Sequence, residues 1–143
     1  MQVRTKSFED LTNRELYEIL KLRVDVFVVE QECPYPEIDG KDYNAFHIYL
    51  ENQGEIIAYA RVYKEKDEIH IGRVIAKERR KGYATLILKE AIRAAREKYQ
   101  ARKIHIEAQT YAKKLYEKVG FEEVSEAFLL DGIEHVKMVL EMK

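Results

Sequence analysis

The sequence predicts an α+β domain in which an antiparallel meander is followed by helix and strand units. Three observations carry this. Residues 45–76 hold three β-rich runs separated by two short turns, Asn52-Gln53-Gly54 and Lys64-Glu65-Lys66-Asp67, which is meander spacing. Two segments, 13–27 and 82–99, repeat apolar residues at helical intervals. The chain has 143 residues, the length of one ordinary domain over 1–143, and a globule of that size buries about 68–70% of its unfolded surface.

Each element has a local reason. Thr12-Asn13-Arg14-Glu15 is a capping box: the threonine hydroxyl serves the third backbone N–H and the glutamate reaches back. Leu16, Ile19, Leu20, Val24 and Phe27 then follow at helical spacing, predicting a helix over 13–27. Residues 30–44 break the pattern with both prolines and Gly40 and form the longest expected loop, a common place for function. Ala45 to Glu51 alternates, with Phe46, Ile48 and Leu50 on one face. Strands over 55–64 and 69–76 complete the meander, and Gly72 inside the last suggests a bulge or a close backbone approach. A helix over 82–99 presents Ala84, Leu88, Ala91, Ile92, Ala95 and Tyr99 on one side. A short strand follows at 104–108, then a helix over 111–119 that Gly120 stops. Residues 121–128 and 135–142 close the chain as a hairpin around Asp131-Gly132.

Composition narrows the function. Twenty-five basic against twenty-six acidic residues leave a net charge of −1, which argues against a nucleic-acid coat or a basic membrane binder. One cysteine, Cys33, allows no internal disulfide, and no signal peptide or membrane span is visible, so a cytoplasmic location is expected. Cys33 reads as a packed small residue. The four histidines show no ligand spacing, so no metal is expected.

The even total conceals two charged segments. Four cations against Glu78 give +3 over residues 77–81, between a strand and a helix start. A glycine turn feeding a helix N-terminus is an anion site, because unpaired N–H groups and the helix dipole face the ligand. A solvated basic cap would use the same residues. The segment is neither a Walker loop nor a dinucleotide fingerprint. The second segment is acidic: five carboxylates against Lys41 give −4 over 30–42, which would suit a cationic partner.

Arg79-x-x-Gly82-x-Ala84 resembles the acetyl-CoA pyrophosphate loop of the GNAT acetyltransferases, whose pattern is Gln/Arg-x-x-Gly-x-Gly/Ala. Ala112-x-x-Leu115-Tyr116-x-x-x-Gly120-Phe121 resembles the family's later segment. Phe27-Val28-Val29-Glu30-Gln31-x-Cys33-Pro34-Tyr35-x-x-x-Asp39-Gly40-x-Asp42 and Glu126-x-Phe128-Leu129-x-Asp131-Gly132-Ile133-x-His135 resemble its ElaA-like branch. The likeness covers essentially the whole chain.

The resemblance implies a mixed sheet of about six to seven strands, flanked by about four helices, with a splayed parallel pair formed by 69–76 and 104–108. It implies acetyl-CoA wedged in that splay. The pantetheine would lie on the backbone of Val74, Ile75 and Ala76, and the pyrophosphate on the N–H groups of Arg79, Arg80, Lys81, Gly82, Tyr83, Ala84 and Thr85. Tyr116 would protonate the departing thiolate, although on spacing alone it also reads as a core aromatic. The proton acceptor is open among Glu30, Glu32, Glu107, Glu126, His47, His105 and His135, with Glu107 and His135 the preferred pair. His105, Glu107 and Gln109 share one strand face. The implied activity is direct acetyl transfer to a primary amine of a small molecule or peptide, with no nucleic acid or membrane partner and a possible homodimer. An inactive acyl-CoA-binding or interaction module of the same fold is the alternative. A nucleotide-binding regulator shares the anion loop but lacks an adenine or ribose signature.

Overall fold

One mixed sheet organises the chain in the computed structural model, which describes residues 1–32 and 36–142. Its strands are β1 (Gln2–Ser7), β2 (Phe46–Asn52), β3 (Glu55–Glu65), β4 (Glu68–Ala76), β5 (Lys103–Gln109), β6 (Glu122–Glu123), β7 (Phe128–Leu130) and β8 (Ile133–Glu141). The spatial order is β1-β2-β3-β4-β5-β8-β6, with β7 also on β8. The meander β2-β3-β4 is antiparallel, as expected, and β4 with β5 is the parallel pair. Three α-helices, α1 (Asn13–Arg23), α2 (Tyr83–Tyr99) and α3 (Lys113–Lys118), flank the sheet.

The capping box forms: Thr12 Oγ1 accepts from Glu15 N, and Thr12 N donates to Glu15 Oε1. From there α1 lays Ile19 and Leu22 on Tyr49, Ile56, Tyr59 and Ile75. It then runs into a π-helical turn, Val24–Glu30, a widening that is rare and often found at functional sites. On the opposite face α2 buries Ile87, Leu88, Ala91, Ala94 and Ala95 against Ile48, Val62, Ile71, Ile104 and Met138. Residues 56–62 are buried throughout because both faces of β3 are covered.

The strand expected over 121–128 is instead two short pieces, β6 and β7. Ser125 Oγ accepts the Lys137 N–H at 2.9 Å, which takes that donor out of the strand ladder. The β7–β8 hairpin turns on Asp131 and Gly132, both left-handed at φ 52° and 80°, the geometry of a tight two-residue turn.

The splay has a visible cause. The parallel ladder holds only two pairs, Ile69 with Ile104 and His70 with His105. Just beyond them Tyr59 pairs with Ile75 while Arg61 pairs with Gly72, so β4 carries one more residue than β3 over that stretch. Arg73 sits there at φ 53°. A bulge raises local twist and bends its strand, and β4 departs from β5 beyond it. Gly72 thus marks the bulge that its place in the strand suggested.

Candidate active site

The divergence of β4 from β5 opens a cleft of about 450 Å³. His70, Gly72, Arg73 and Val74 line it from β4, and Ile106, Glu107 and Gln109 from β5. Phe27 closes it from the π-helical turn and Gln31 from the residue just after that turn, Tyr116 from α3, and His135 from β8. The strand alternation holds: Ile104, Ile106 and Ala108 are buried, leaving His105, Glu107 and Gln109 on the other face.

Tyr116, Glu107 and His135 therefore meet at one cleft. Tyr116 stacks edge-on to Phe121 at 6.0 Å, and its hydroxyl has no hydrogen-bond partner among the described residues. Burial pushes that hydroxyl well above the usual phenol range, with Tyr111 adding to the shift. His135 donates from Nδ1 to the Ile133 carbonyl at 2.7 Å, an assignment that leaves Nε2 as the acceptor nitrogen. Glu107 stands opposite Lys137 of β8.

Other proposed proton acceptors fall elsewhere. His47 is fully buried; it donates from Nε2 to the Asp42 carbonyl at 3.0 Å and accepts from the Tyr59 hydroxyl at 2.6 Å. Both nitrogens are occupied, and burial pulls its pKa down. Glu30, Glu32 and Glu126 are exposed and line no part of the cleft. His105 lies beside it, in a cluster with His70. Cys33 lies outside the described residues, as do Pro34 and Tyr35.

The anion-type loop lies past the end of β4. Arg80 and Gly82 both adopt left-handed backbone, at φ 63° and 80°. Gly82 caps α2 without a side-chain hydrogen bond, so the first-turn N–H groups of this seventeen-residue helix face outward without intrahelical partners. A Cβ at Gly82 would meet no atom within 4 Å, so the glycine serves the backbone angle. Lys77 departs from the expected cluster: its ammonium pairs with Glu55 and its N–H bonds the Ile57 carbonyl. Arg79, Arg80 and Lys81 stay exposed. Val74 lines the cleft, whereas Ile75 and Ala76 pair with Tyr59 and Ala58 of β3.

The acidic segment needs correction. It does not offer all five carboxylates to a cationic partner, because Glu37, Asp39 and Asp42 turn inward onto three arginines. Arg23 Nε donates to Glu37 at 2.7 Å and its Nη1 to Asp42 at 2.7 Å. Arg61 donates to Asp39 at 2.5 and 2.9 Å and to Asp42 at 3.0 Å. Arg73 Nε donates to Glu37 at 2.7 Å. Burial raises the Asp39 carboxyl, but the Arg61 guanidinium outweighs this and holds it far below the usual range. These three carboxylates are thus neutralised internally while Glu30 and Glu32 stay exposed, and the pairs fasten residues 37–42 to α1, β3 and β4.

Two features were not read from the sequence, and only the first carries no signal there. Gln31 and Gln109, 78 positions apart, exchange amide hydrogen bonds at 3.2 and 3.0 Å across the cleft. His70 projects into it from β4; its alternation against Ile69 and Ile71 could have located it.

A splayed parallel pair beside a glycine-started helix defines the class, an acyl-CoA N-acyltransferase fold, and comparison with known proteins agrees. Residues 10–142 match the model of the acetyltransferase (GNAT) domain. A UPF0039 protein of Schizosaccharomyces pombe is 42% identical over 142 residues, covering 96% of this chain and 95% of that one. The crystal structure of Escherichia coli ElaA superposes with a TM-score of 0.93 at 32% identity, over 99% of this chain and all of that one. An acyl-CoA N-acyltransferase from Pseudomonas aeruginosa superposes with a TM-score of 0.92 at 33% identity, over 98% and 99% of the two chains. The chain belongs to the GNAT acetyltransferase family and is an acyltransferase similar to ElaA. Among the described residues no three His, Cys, Asp or Glu side chains converge as a metal site, and no helix is long and apolar enough to cross a membrane.

Proposed function

We propose that the chain, as one domain over 1–143, transfers an acetyl group from acetyl-CoA directly to a primary amine of a small molecule or peptide. The observation that carries this is the splay: two ladder pairs, then a cleft between β4 and β5 with Tyr116 at its side. The pantetheine would add to the backbone of Val74, Ile75 and Ala76 as a strand adds to a sheet edge. The pyrophosphate would rest on the N–H groups of Arg79 to Thr85, where the helix dipole favours an anion. A backbone N–H at the bulge would polarise the acetyl carbonyl.

In the reaction, the amine nitrogen forms a bond to the acetyl carbon and the carbon–sulfur bond breaks. Tyr116 gives its proton to the departing thiolate; burial keeps the phenol protonated at neutral pH. Glu107 and His135 flank the same cleft as candidate proton acceptors. The chemistry needs no metal. A cytoplasmic location and a possible homodimer complete this reading.

The test is thiol release from acetyl-CoA with benzylamine, tyramine, putrescine and an alanyl peptide. Amine-dependent thiol release with an acetylated product supports the reading. Tight acetyl-CoA binding without turnover on any amine overturns it in favour of a non-catalytic binding module.

A further inference from the structure

Three rings form a row across β3, β4 and β5 on the cleft side of the sheet. Tyr63 stacks on His70 at 5.3 Å and 13°, and His70 lies 5.5 Å from His105. The Glu68 carboxylate faces Nε2 of both histidines, each at 3.5 Å. His70 belongs to the cleft, two residues before the bulge at Gly72-Arg73, or about 6.6 Å along the strand. Glu68 is half exposed at 51%. The row therefore leads from the cleft to solvent.

We propose that His70, in place of the candidates Glu107 and His135, takes the proton from the acceptor ammonium and passes it through Glu68, beside His105, to bulk water. The inference rests on the acetyltransferase reading above. The protons balance: the ammonium loses one to His70 before attack, and the second leaves nitrogen as the carbon–sulfur bond breaks and restores to Tyr116 the proton that its phenol gives the thiolate. His70 then returns to neutral by releasing its proton at the nitrogen facing Glu68. Its second nitrogen, Nδ1, is left for the acceptor or one bridging water.

The surroundings keep His70 neutral and ready. Burial lowers its pKa from the ordinary value of 6.5, and His105 on β5 and Lys41 lower it further. Glu68 on its own strand and Glu65 on β3 act in the opposite direction, and the Tyr63 ring from β3 covers one face. Stacking fixes the ring plane without occupying a nitrogen.

The experiment is the pH dependence of kcat with acetyl-CoA and the panel amine turned over fastest. Wild-type kcat should be level through neutrality and fall only below pH 6.5. His70→Asn should lower kcat about 10²-fold, and its kcat should now rise with pH toward the amine's own pKa, since only spontaneously deprotonated amine reacts. Added imidazole should restore part of the rate. Acetyl-CoA affinity should be unchanged. Glu68→Gln, at an exposed position, should make kcat depend on buffer concentration. A His70→Asn profile matching wild type, or a buffer-independent Glu68→Gln, overturns the relay while leaving the acetyltransferase reading intact. A wild-type protein inert toward every amine overturns both.

Discussion

One oxygen of Glu37 accepts two guanidinium N–H bonds, from Arg23 Nε and from Arg73 Nε, both at 2.7 Å. Arg23 closes α1 and Arg73 is the left-handed residue of the β4 bulge. A single carboxylate therefore ties the end of α1 to the backbone irregularity that opens the cleft.

Glu37→Gln should damage stability and activity together. Arg23 is fully buried and Glu37 is 4% exposed, so the change leaves buried cations short of a counter-charge. Breaking one side of a buried pair costs about 3 kcal/mol, or a fall in Tm of roughly 10 °C at this size. Urea unfolding measures the first and thiol release the second. Stability within about 0.5 kcal/mol of wild type would show that water satisfies the arginines instead.

Tyr116→Phe should lower turnover about 10²-fold with acetyl-CoA affinity nearly unchanged. Because burial holds the hydroxyl above its ordinary range, its deprotonation should not limit wild-type activity below pH 10. Steady-state rates and calorimetry with acetyl-CoA separate the two effects. An unchanged rate removes Tyr116 from the mechanism.

What the sequence disclosed was what neighbours in the chain determine. Thr12 and Glu15 are three apart, and their box formed as read. The alternation of Ile104, Ile106 and Ala108 placed Glu107 and Gln109 on the cleft side. Gly82 marked the turn that leads into a helix N-terminus. The acidic segment misled because the partners of Glu37, Asp39 and Asp42 are Arg23, Arg61 and Arg73, and only folding brings those together. The Gln31–Gln109 pair is invisible for the same reason. The final hairpin was legible at Asp131-Gly132 but not at Ser125, whose hydroxyl interrupts the ladder through a bond to residue 137.

Gly82 should separate backbone strain from ligand crowding. Its φ of 80° costs a residue with a Cβ about 1–2 kcal/mol, while asparagine tolerates the left-handed region. Space is open around the position. Gly82→Ala should therefore lose some Tm, and Gly82→Asn less. Both should raise the acetyl-CoA KM about tenfold if the phosphates approach this backbone closely, a change worth about 1.4 kcal/mol. Asparagine with wild-type Tm and wild-type KM would place the phosphates elsewhere.

Glu15 joins the cap of α1 to β1 and β2, since it also accepts from Lys6 Nζ at 3.0 Å and from the Tyr49 hydroxyl. Burial raises its pKa, but the Thr12 N–H, the Tyr49 hydroxyl and Lys6 outweigh this and bring it from 4.5 down to about 2. A carboxyl depressed in the folded state stabilises above its unfolded pKa and loses that contribution as pH falls through the folded value. Tm should thus be level above pH 5 and decline between about 4.5 and 2. Glu15→Gln keeps the capping geometry, because glutamine serves the same box, but removes the titrating charge. Its Tm should lie below wild type at pH 7 and converge on it near pH 2. Parallel melting curves over pH 2–7 measure this, and a constant gap between the two proteins would assign the acid transition to other carboxylates.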